Sequence, residues 1–522
     1  MNFKLRHGRI ISPSLRRWIT EWWIITLFIV LKLLAHFLTG ANYELHRDSF
    51  LYIEQAKHPA WGYVTTPPFT GIITRLSGIL FGNTEFGYRF FPALTGAISI
   101  LLICIMIKEL GGKRLALITG CLAYLISPAY LRSNTLLQPV SFDQFFWLLI
   151  FFLLFRLVRT QKPVYWIWIG IVAGIGILNK HTMLIFSAGV FLALLVTRDR
   201  RWLATMYPYL AALIALVIIL PHILWQYQHD WPLVRHMKEL QETQLVNVRM
   251  DLFMLEQFMM NFPAVLVWLV ALVYLVFYRE SEKYAIISYI FLFTLVILLV
   301  LRGKPYYTLG LYPVLFAFGG FALEKIFTRR LRFINHFIIG FMLVSGLLIL
   351  PLSLPILKPE RYIRYMDAIG MGKSQRWEDG QYYDLPQDYA DMIGWRELTY
   401  IVAKAWNSLS PEQQAACTIF SNNYGEAGAV NFYGTKLGLP AVITPSDNFL
   451  FWAPDSIRAD YLIRIGDDDN LSNLYNSVEL VGRITTPHAR QEGTPVHLCR
   501  DPKINIDSLY REELAAFRSG QE

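Results

Sequence analysis

Asp48, Asp143, Lys180 and Lys304 are the residues of this chain whose types and settings suit chemistry better than packing. Each stands at the edge of an apolar run. An ionisable side chain at membrane depth costs free energy, which makes it a candidate for function. A carboxylate can take the proton of an attacking hydroxyl, and lysines opening on the same cleft can hold a phosphate as it leaves. Each also has a plainer reading. Asp48, in RDSFLYIEQA, suits a helix N-cap whose oxygen accepts an orphan backbone N–H; the two roles are compatible, and the local pattern by itself favours the cap. Asp143, in LLQPVSFDQFFWLL, suits the first turn of a span, at the positive end of the helix dipole. That reading slightly outweighs a second acid that orients donor or acceptor. Lys180, after GIVAGIGILNK, and Lys304, in RGKPYYTLGLYP, each have the plain reading of a lysine snorkelling at the lipid interface.

Other residue types exclude more than they suggest. His181, His222, His229 and His236 match no metal-ligand spacing, and the four cysteines form no CxxC pair. The glycines between Gly170 and Gly176 are no nucleotide loop, because neither a preceding strand nor a following GKS/T accompanies them. An ATP-driven pump is therefore not expected. Trp61, Tyr63, Trp225 and Trp231 offer faces for a sugar or an isoprenoid, although Trp and Tyr also populate ordinary interfacial belts.

The elements that must position these residues are membrane spans. Hydrophobic residues make up 54% of the 522 and charged residues only 17%, against about 25% charged in soluble proteins. Apolar runs near 19–39, 89–107, 115–131, 143–158, 164–178, 182–197, 203–224, 259–278, 284–301, 306–326 and 333–354 predict about eleven spans. The first is expected to remain as an anchor, since no small-residue cleavage site follows it. The basic residues explain the formal charge of +9 without a nucleic-acid surface. Lys4, Arg6, Arg9, Arg16 and Arg17; Lys108, Lys113 and Arg114; Arg156, Arg159 and Lys162; Arg198, Arg200 and Arg201; Arg279 and Lys283; and Arg329, Arg330 and Arg332 fall on every second loop. The positive-inside rule puts all of these in the cytoplasm. Asp48, the mouth of the Asp143 span, Lys180, Lys304 and the Trp/His-rich WQYQHDWPLVRH then face outward.

The division expected is a transmembrane domain over 1–355, a linker or surface segment over 356–388, and an extracytoplasmic α/β domain over 389–522. In the last, Asp391–Leu409 and Tyr424–Lys436 read as helices. Cys417–Phe420, Ala441–Ile443, Tyr461–Ile465, Val478–Ile484 and Val496–Cys499 read as short strands, and a terminal helix follows Asp507. Cys417 and Cys499 are either a disulfide in an oxidising compartment or two buried strand residues.

These parts fit one reaction. On the outer face of a membrane a sugar arrives on a polyprenyl phosphate rather than on a nucleotide. Displacing that phosphate needs a base for the acceptor hydroxyl and cations for the leaving group. The segments RDSFLYIEQAKHPAWGYVTTPPF, SPAYLRSNTLLQPVSFDQFFW, GILNKHTMLIF and GKPYYTLGLYPVLFAFGGFALE resemble the GT-C superfamily. Within it the likeness is to bacterial relatives of protein O-mannosyltransferases and of lipid A aminoarabinose transferases. SNNYGEAGAVNFYG resembles the end domain of many bacterial members. The resemblance implies an inverting transfer in the bacterial inner membrane, to a lipid, glycan or protein on the periplasmic side. It makes Asp48 the general base and places Lys180 on the donor phosphate; the residues themselves add Asp143 as a candidate second acid and His181, beside Lys180, as a candidate on the phosphate side. Lys304, Tyr306 and Tyr307 match a second donor-side motif. Two departures bear on metal: Ser49 follows the Asp where many members have Glu, and Thr65 and Thr66 precede Pro67 and Pro68 where many have an acid. No cofactor is expected, and metal dependence is not supported. The competing readings are a transporter or lipid flippase, which asks for ionisable residues at mid-depth, and an assembly scaffold, which explains the outer domain but not the outward Asp and Lys set.

Overall fold

The computed structural model describes residues 13–467 and 470–519; Lys4, Arg6 and Arg9 of the first basic cluster lie outside them. The chain opens with α1 (Pro13–Thr39), crosses a short turn, and enters α2 (Arg47–Lys57) and α3 (Phe69–Phe81). Then follow α4 (Glu85–Leu110), α5 (Arg114–Ile126), α6 (Pro128–Ser133), α7 (Pro139–Thr160), α8 (Val164–Ile177), α9 (Thr182–Val196) and α10 (Tyr207–Gln228). The bundle closes with α11 (Pro232–Thr243), α12 (Met250–Met259), α13 (Val265–Phe277), α14 (Ala285–Val300), α15 (Tyr312–Ile326) and α16 (Arg332–Ser353).

Among the described residues seven helices are long and apolar enough to cross a membrane, or nine if two bent pairs each count as one span. The expected eleven includes apolar runs that fall short of this length. Arg114–Ile126 and Val164–Ile177 are apolar but only 13 and 14 residues long, and at 1.5 Å per residue neither reaches across about 30 Å of hydrocarbon. The ends of these helices are set locally. At the start of α4, Thr84 accepts from the Gly87 amide at 3.1 Å; at its end Gly111 takes the left-handed conformation, φ 94°, that glycine adopts without strain.

Ion pairs lace the basic loops together at one rim. Lys108 Nζ lies 3.0 Å from Glu21, Arg156 pairs with Glu109, Arg198 with Glu282 and Lys325 with Glu280. The sites singled out by sequence lie at the other ends of the same helices.

At that other end sits the remainder of the chain. α17 (Pro359–Ala368) leads into a small antiparallel hairpin, β1 (Gln375–Arg376) and β2 (Tyr382–Tyr383). Short α18 (Gln387–Ala390), then α19 (Trp395–Asn407) and short α20 (Pro411–Ala415), precede β3 (Cys417–Ser421) and α21 (Tyr424–Gly434). β4 (Tyr461–Ile465), β5 (Tyr475–Arg483) and β6 (Pro495–Pro502) complete a mixed sheet in the order β3-β4-β6-β5, and the helix Ile506–Ser519 follows. β3 and β4 run parallel around α21; β6 is antiparallel to both neighbours. Ala441–Ile443, expected as a strand, contributes a single bridge, Ile443 to Phe420. Cys417 and Cys499 are thiols on β3 and β6, with β4 between them. One apolar core runs from the bundle through Phe50 on α2 into Trp395, Leu398, Val430 and Ile463 of the outer domain. Phe50 meets the Trp395 ring edge-on at 5.7 Å.

Candidate active site

α2 begins at Arg47, so His46 and not Asp48 is its cap: His46 has extended backbone, and its Nδ1 accepts from the Asp48 amide at 3.1 Å. This overturns the N-cap reading of Asp48 and leaves its carboxylate for other partners. Tyr424 Oη donates to Oδ1 at 2.7 Å, Gln138 Nε2 to Oδ2 at 3.0 Å, and Arg47 Nε approaches Oδ1 at 3.5 Å. Burial by itself would raise the Asp48 carboxyl. The charges of His46 and Arg47 and the hydrogen bonds from Tyr424 and Arg47 outweigh it and bring the group down to about 2. Asp48 is therefore ionised at every physiological pH, with its side chain still 27% exposed.

Asp143 is also re-placed. Pro139 takes the first position of α7, as proline prefers, which puts Asp143 beyond the first turn. It is buried, and its Oδ2 accepts from Thr182 Oγ1, on α9, at 2.7 Å. Lys180 lies between α8 and α9 with its Nζ 4.3 Å from the centre of the Tyr307 ring and 4.8 Å from that of Tyr306. Among the described residues no carboxylate comes within 4 Å of it; two ring faces hold the ammonium instead. Burial pulls Lys180 down to about 8 against the opposing charge of Asp143. Tyr306 in turn lies within electrostatic reach of Asp48, so the carboxylate and the lysine flank one tyrosine pair. Lys304 stands beside this group but is engaged: its Nζ binds Gln244 Oε1 at 2.5 Å and pairs with Glu378, in the turn of the β1–β2 hairpin.

The remaining candidates form a second cluster. His181 Nε2 lies 3.3 Å from His222 Nε2, and His222 Nδ1 is 2.9 Å from the Trp61 carbonyl. Burial lowers His181 to about 4, so at neutral pH it offers a phosphate an N–H but no charge. Trp225 stacks on His229 at 4.0 Å and packs against Gly62, where a Cβ would come within 2.4 Å of the indole. The Trp61 ring is 55% exposed. The Tyr63 hydroxyl is engaged locally, sharing its proton between the carbonyls of Gln55 at 3.0 Å and His58 at 3.1 Å.

The residues fit a metal ion poorly. The Asp48 oxygens already face donors and positive groups. Thr65, at the position where many relatives of the resembled family carry an acid, donates to Asp447 Oδ2 at 2.9 Å. Among the described residues no three His, Cys, Asp or Glu converge on one point.

Reasoning from sequence missed Gln138, Tyr424, Asp447 and Glu378. Tyr424 stood in a quoted segment, SNNYGEAGAVNFYG, with nothing local to mark it as a site residue. Asp447 carries a signal visible only in the backbone, a φ of 54° in a non-glycine residue. Its loop docks on Val64 and Thr65, with Asn448 Oδ1 accepting from the Val64 amide at 2.6 Å.

Fold and site together describe a multi-span membrane protein whose polar end is covered by an appended α/β domain. Comparison with known proteins agrees. The family model for dolichyl-phosphate-mannose-protein mannosyltransferases matches residues 65–225. The lipid A galacturonosyltransferase RgtD of Rhizobium johnstonii is 24% identical over 196 residues, which span 36% of this chain and 41% of that protein. The crystal structure of ArnT from Cupriavidus metallidurans bound to undecaprenyl phosphate superposes with a TM-score of 0.64 at 15% identity, covering 92% of this chain and 98% of the other. Its apo form gives 0.59 over the same coverage. At these identities the structures establish the fold: the architecture inferred from the quoted segments is the GT-C architecture, with a small sheet domain at its C-terminal end.

Proposed function

We propose that this chain is an integral-membrane glycosyltransferase that moves a sugar from a polyprenyl phosphate to a hydroxyl of an envelope lipid, glycan or protein on the non-cytoplasmic face. Asp48 accepts the proton of the acceptor hydroxyl. The acceptor oxygen bonds the anomeric carbon from the side opposite the phosphate, the carbon–oxygen bond to phosphate breaks, and the configuration inverts. The electron pair leaves on the phosphate, where Lys180 meets it. The observation that carries this reading is the pair of tyrosines at 306 and 307: Lys180 lies over both rings, and Asp48 is within electrostatic reach of the first. A cation for the leaving group and a base for the nucleophile thus open on one cleft.

The carboxylate is a weak base at about 2, so its part is to orient and polarise the hydroxyl while the leaving phosphate drives the step. Asp143 serves behind Lys180, as the carboxylate that keeps the ammonium charged.

Transport is the less favoured reading. The buried ionisable residues of α1 do not line a path: Lys32 Nζ donates to the Tyr130 carbonyl at 2.7 Å, and His36 lies 2.7 Å from the Lys32 carbonyl and 3.1 Å from that of Leu131. Both are tied to α6, at the same mouth as Asp48.

The test is mass spectrometry of membrane glycolipids and envelope glycans from cells with and without the gene. A hexose- or pentose-sized increment that depends on the gene is the expected result. Asp48→Asn should remove it, with transfer down by at least ~100-fold and chain abundance unchanged. Normal product from that variant would sink the base assignment; gene-dependent vesicle flux with no increment would sink the enzyme.

A further inference from the structure

The shortest contact of the candidate base comes from outside the membrane bundle. Tyr424 Oη sits 2.7 Å from Asp48 Oδ1, across 376 residues of sequence. The local sequence explains how it gets there. α21 starts at Tyr424, with Asn423 as its cap accepting from the Gly425 amide at 2.8 Å. Two glycines of YGEAG face α2. A Cβ on Gly425 would fall 2.3 Å from Arg47 Cγ, and one on Gly428 would fall 2.7 Å from Phe50 Cβ. Helix α21 can lie flush on α2 only because those two positions have no side chain. The Tyr424 ring then stacks under the Arg47 guanidinium, at 5.3 Å, so a cation fixes the ring while the carboxylate fixes the hydroxyl.

The outer domain has other clamps on the bundle. Tyr433, one face further along α21, donates to Glu85 at the start of α4 at 2.8 Å, and the Asp447–Asn448 loop closes on Val64 and Thr65. These hold the domain without touching Asp48. Tyr424 does more than dock.

We propose that Tyr424 is a positioning residue of the transfer reaction: through it the outer domain fixes the plane of the Asp48 carboxylate so that a free lone pair meets the acceptor hydroxyl. This rests on Asp48 being the base. The terminal torsion of an aspartate is soft, and an ionised carboxylate has about four acceptor positions. A donor on each oxygen, Tyr424 on Oδ1 and Gln138 on Oδ2, stops the rotation and still leaves positions for substrate. In the transfer the acceptor O–H bond breaks toward Asp48, the glycosidic bond forms and the bond to phosphate breaks. Tyr424 exchanges no proton.

The other charged groups around Asp48 are His46 and Arg47 on its own segment, and Asp391, Asp447 and Glu378 from the outer segments. Removing one phenolic oxygen leaves them in place. Tyr424→Phe also removes one of the hydrogen bonds that hold the Asp48 carboxyl down.

The experiment uses the full-length chain in isolated envelope membranes, which carry their own donor and acceptor. The rate of product formation at pH 7 is read by mass spectrometry for wild type, Tyr424→Phe, Tyr433→Phe, Asp48→Asn and the double variants of Asp48→Asn with each tyrosine change, normalised to folded chain by size-exclusion chromatography. Tyr424→Phe is expected to slow transfer about tenfold at pH 7 in the wild-type background and to slow it no further in the Asp48→Asn background. Tyr433→Phe is expected to change neither. The proposal falls if Tyr424→Phe behaves as wild type or as Tyr433→Phe. It falls if Tyr424→Phe slows the residual transfer of Asp48→Asn by the same factor as it slows wild type, which is what a purely structural contact gives. A faster Tyr424→Phe also overturns it, since the phenol would then be occupying the acceptor's place. Asp48→Asn separates the two layers: an active Asp48→Asn defeats the base assignment itself, whereas an inactive one beside a normal Tyr424→Phe defeats the positioning role alone.

Discussion

Lys180 is held by ring faces where an ordinary surface lysine would have water or a carboxylate, and that sets the sign of a pH response. Burial favours the neutral amine and lowers the group to about 8. Below that pH the ammonium is charged and can hold a phosphate; above it the charge is lost. Binding of a polyprenyl phosphate to the purified chain should therefore be tight near pH 6–7 and weaken as pH rises through about 8, with bound phosphate pushing the midpoint upward. Lys180→Ala should bind weakly at every pH. An affinity indifferent to pH between 6 and 9, or to this substitution, would remove Lys180 from the site. Asp48 contributes nothing to that profile, because it is already ionised far below it. At this scale much was legible from types and neighbours alone: an Asp and a Lys outside apolar runs. The roles of single oxygens were not. The cap of α2 passed to His46 because the helix begins two residues earlier than the Asp48 pattern implied.

Among elements, the contact between α21 and α2 decides whether Tyr424 reaches Asp48. A methyl group at Gly428 would meet Phe50 Cβ at 2.7 Å, and both atoms belong to rigid helices. Gly428→Ala should destabilise the folded chain by about 1–3 kcal/mol, as overpacking does, and lower its melting temperature in detergent. It should also reduce transfer by lifting Tyr424 from Asp48. Unchanged melting and unchanged product would show that the interface gives way easily. The elements themselves were mostly readable. Tyr461–Ile465 is a strand with the expected bounds, and α21 ends two residues before its predicted end. Ala441–Ile443 was over-read, since three apolar residues satisfy the pattern of a strand without a partner edge to pair along. α5 and α8 were over-read as full spans because hydropathy measures apolar content, and length decides crossing.

For the whole molecule, the ion pairs of one rim and the outer domain at the other imply an orientation. Lys113 and Lys373 are both exposed and sit on opposite sides of the proposed bilayer. In a chain freed of its native thiols, single cysteines at these positions should differ in spheroplasts: an impermeant maleimide should label position 373 and not 113 until the membrane is broken. The reverse pattern would turn the site toward the cytosol and end the proposed reaction. At this scale the segment 356–388, expected as linker or surface, carries Glu378 onto Lys304 and Trp377 into a stack with Tyr383 at 3.7 Å. The residue expected to meet a phosphate is thus paired with a carboxylate brought from 74 positions away.

The sequence by itself determined the solvent of this protein, and it singled out the side and two of the groups on which the proposed reaction rests. Hydropathy, the spacing of basic loops and the scarcity of charge are properties of composition along a line, and a line is what a sequence displays. Only the tertiary structure decided which groups surround Asp48. Gln138 arrives from 90 residues away and Tyr424 from 376. A hydrogen bond between distant segments leaves no periodicity behind, because its partners are chosen by how helices pack and where two glycines let them touch.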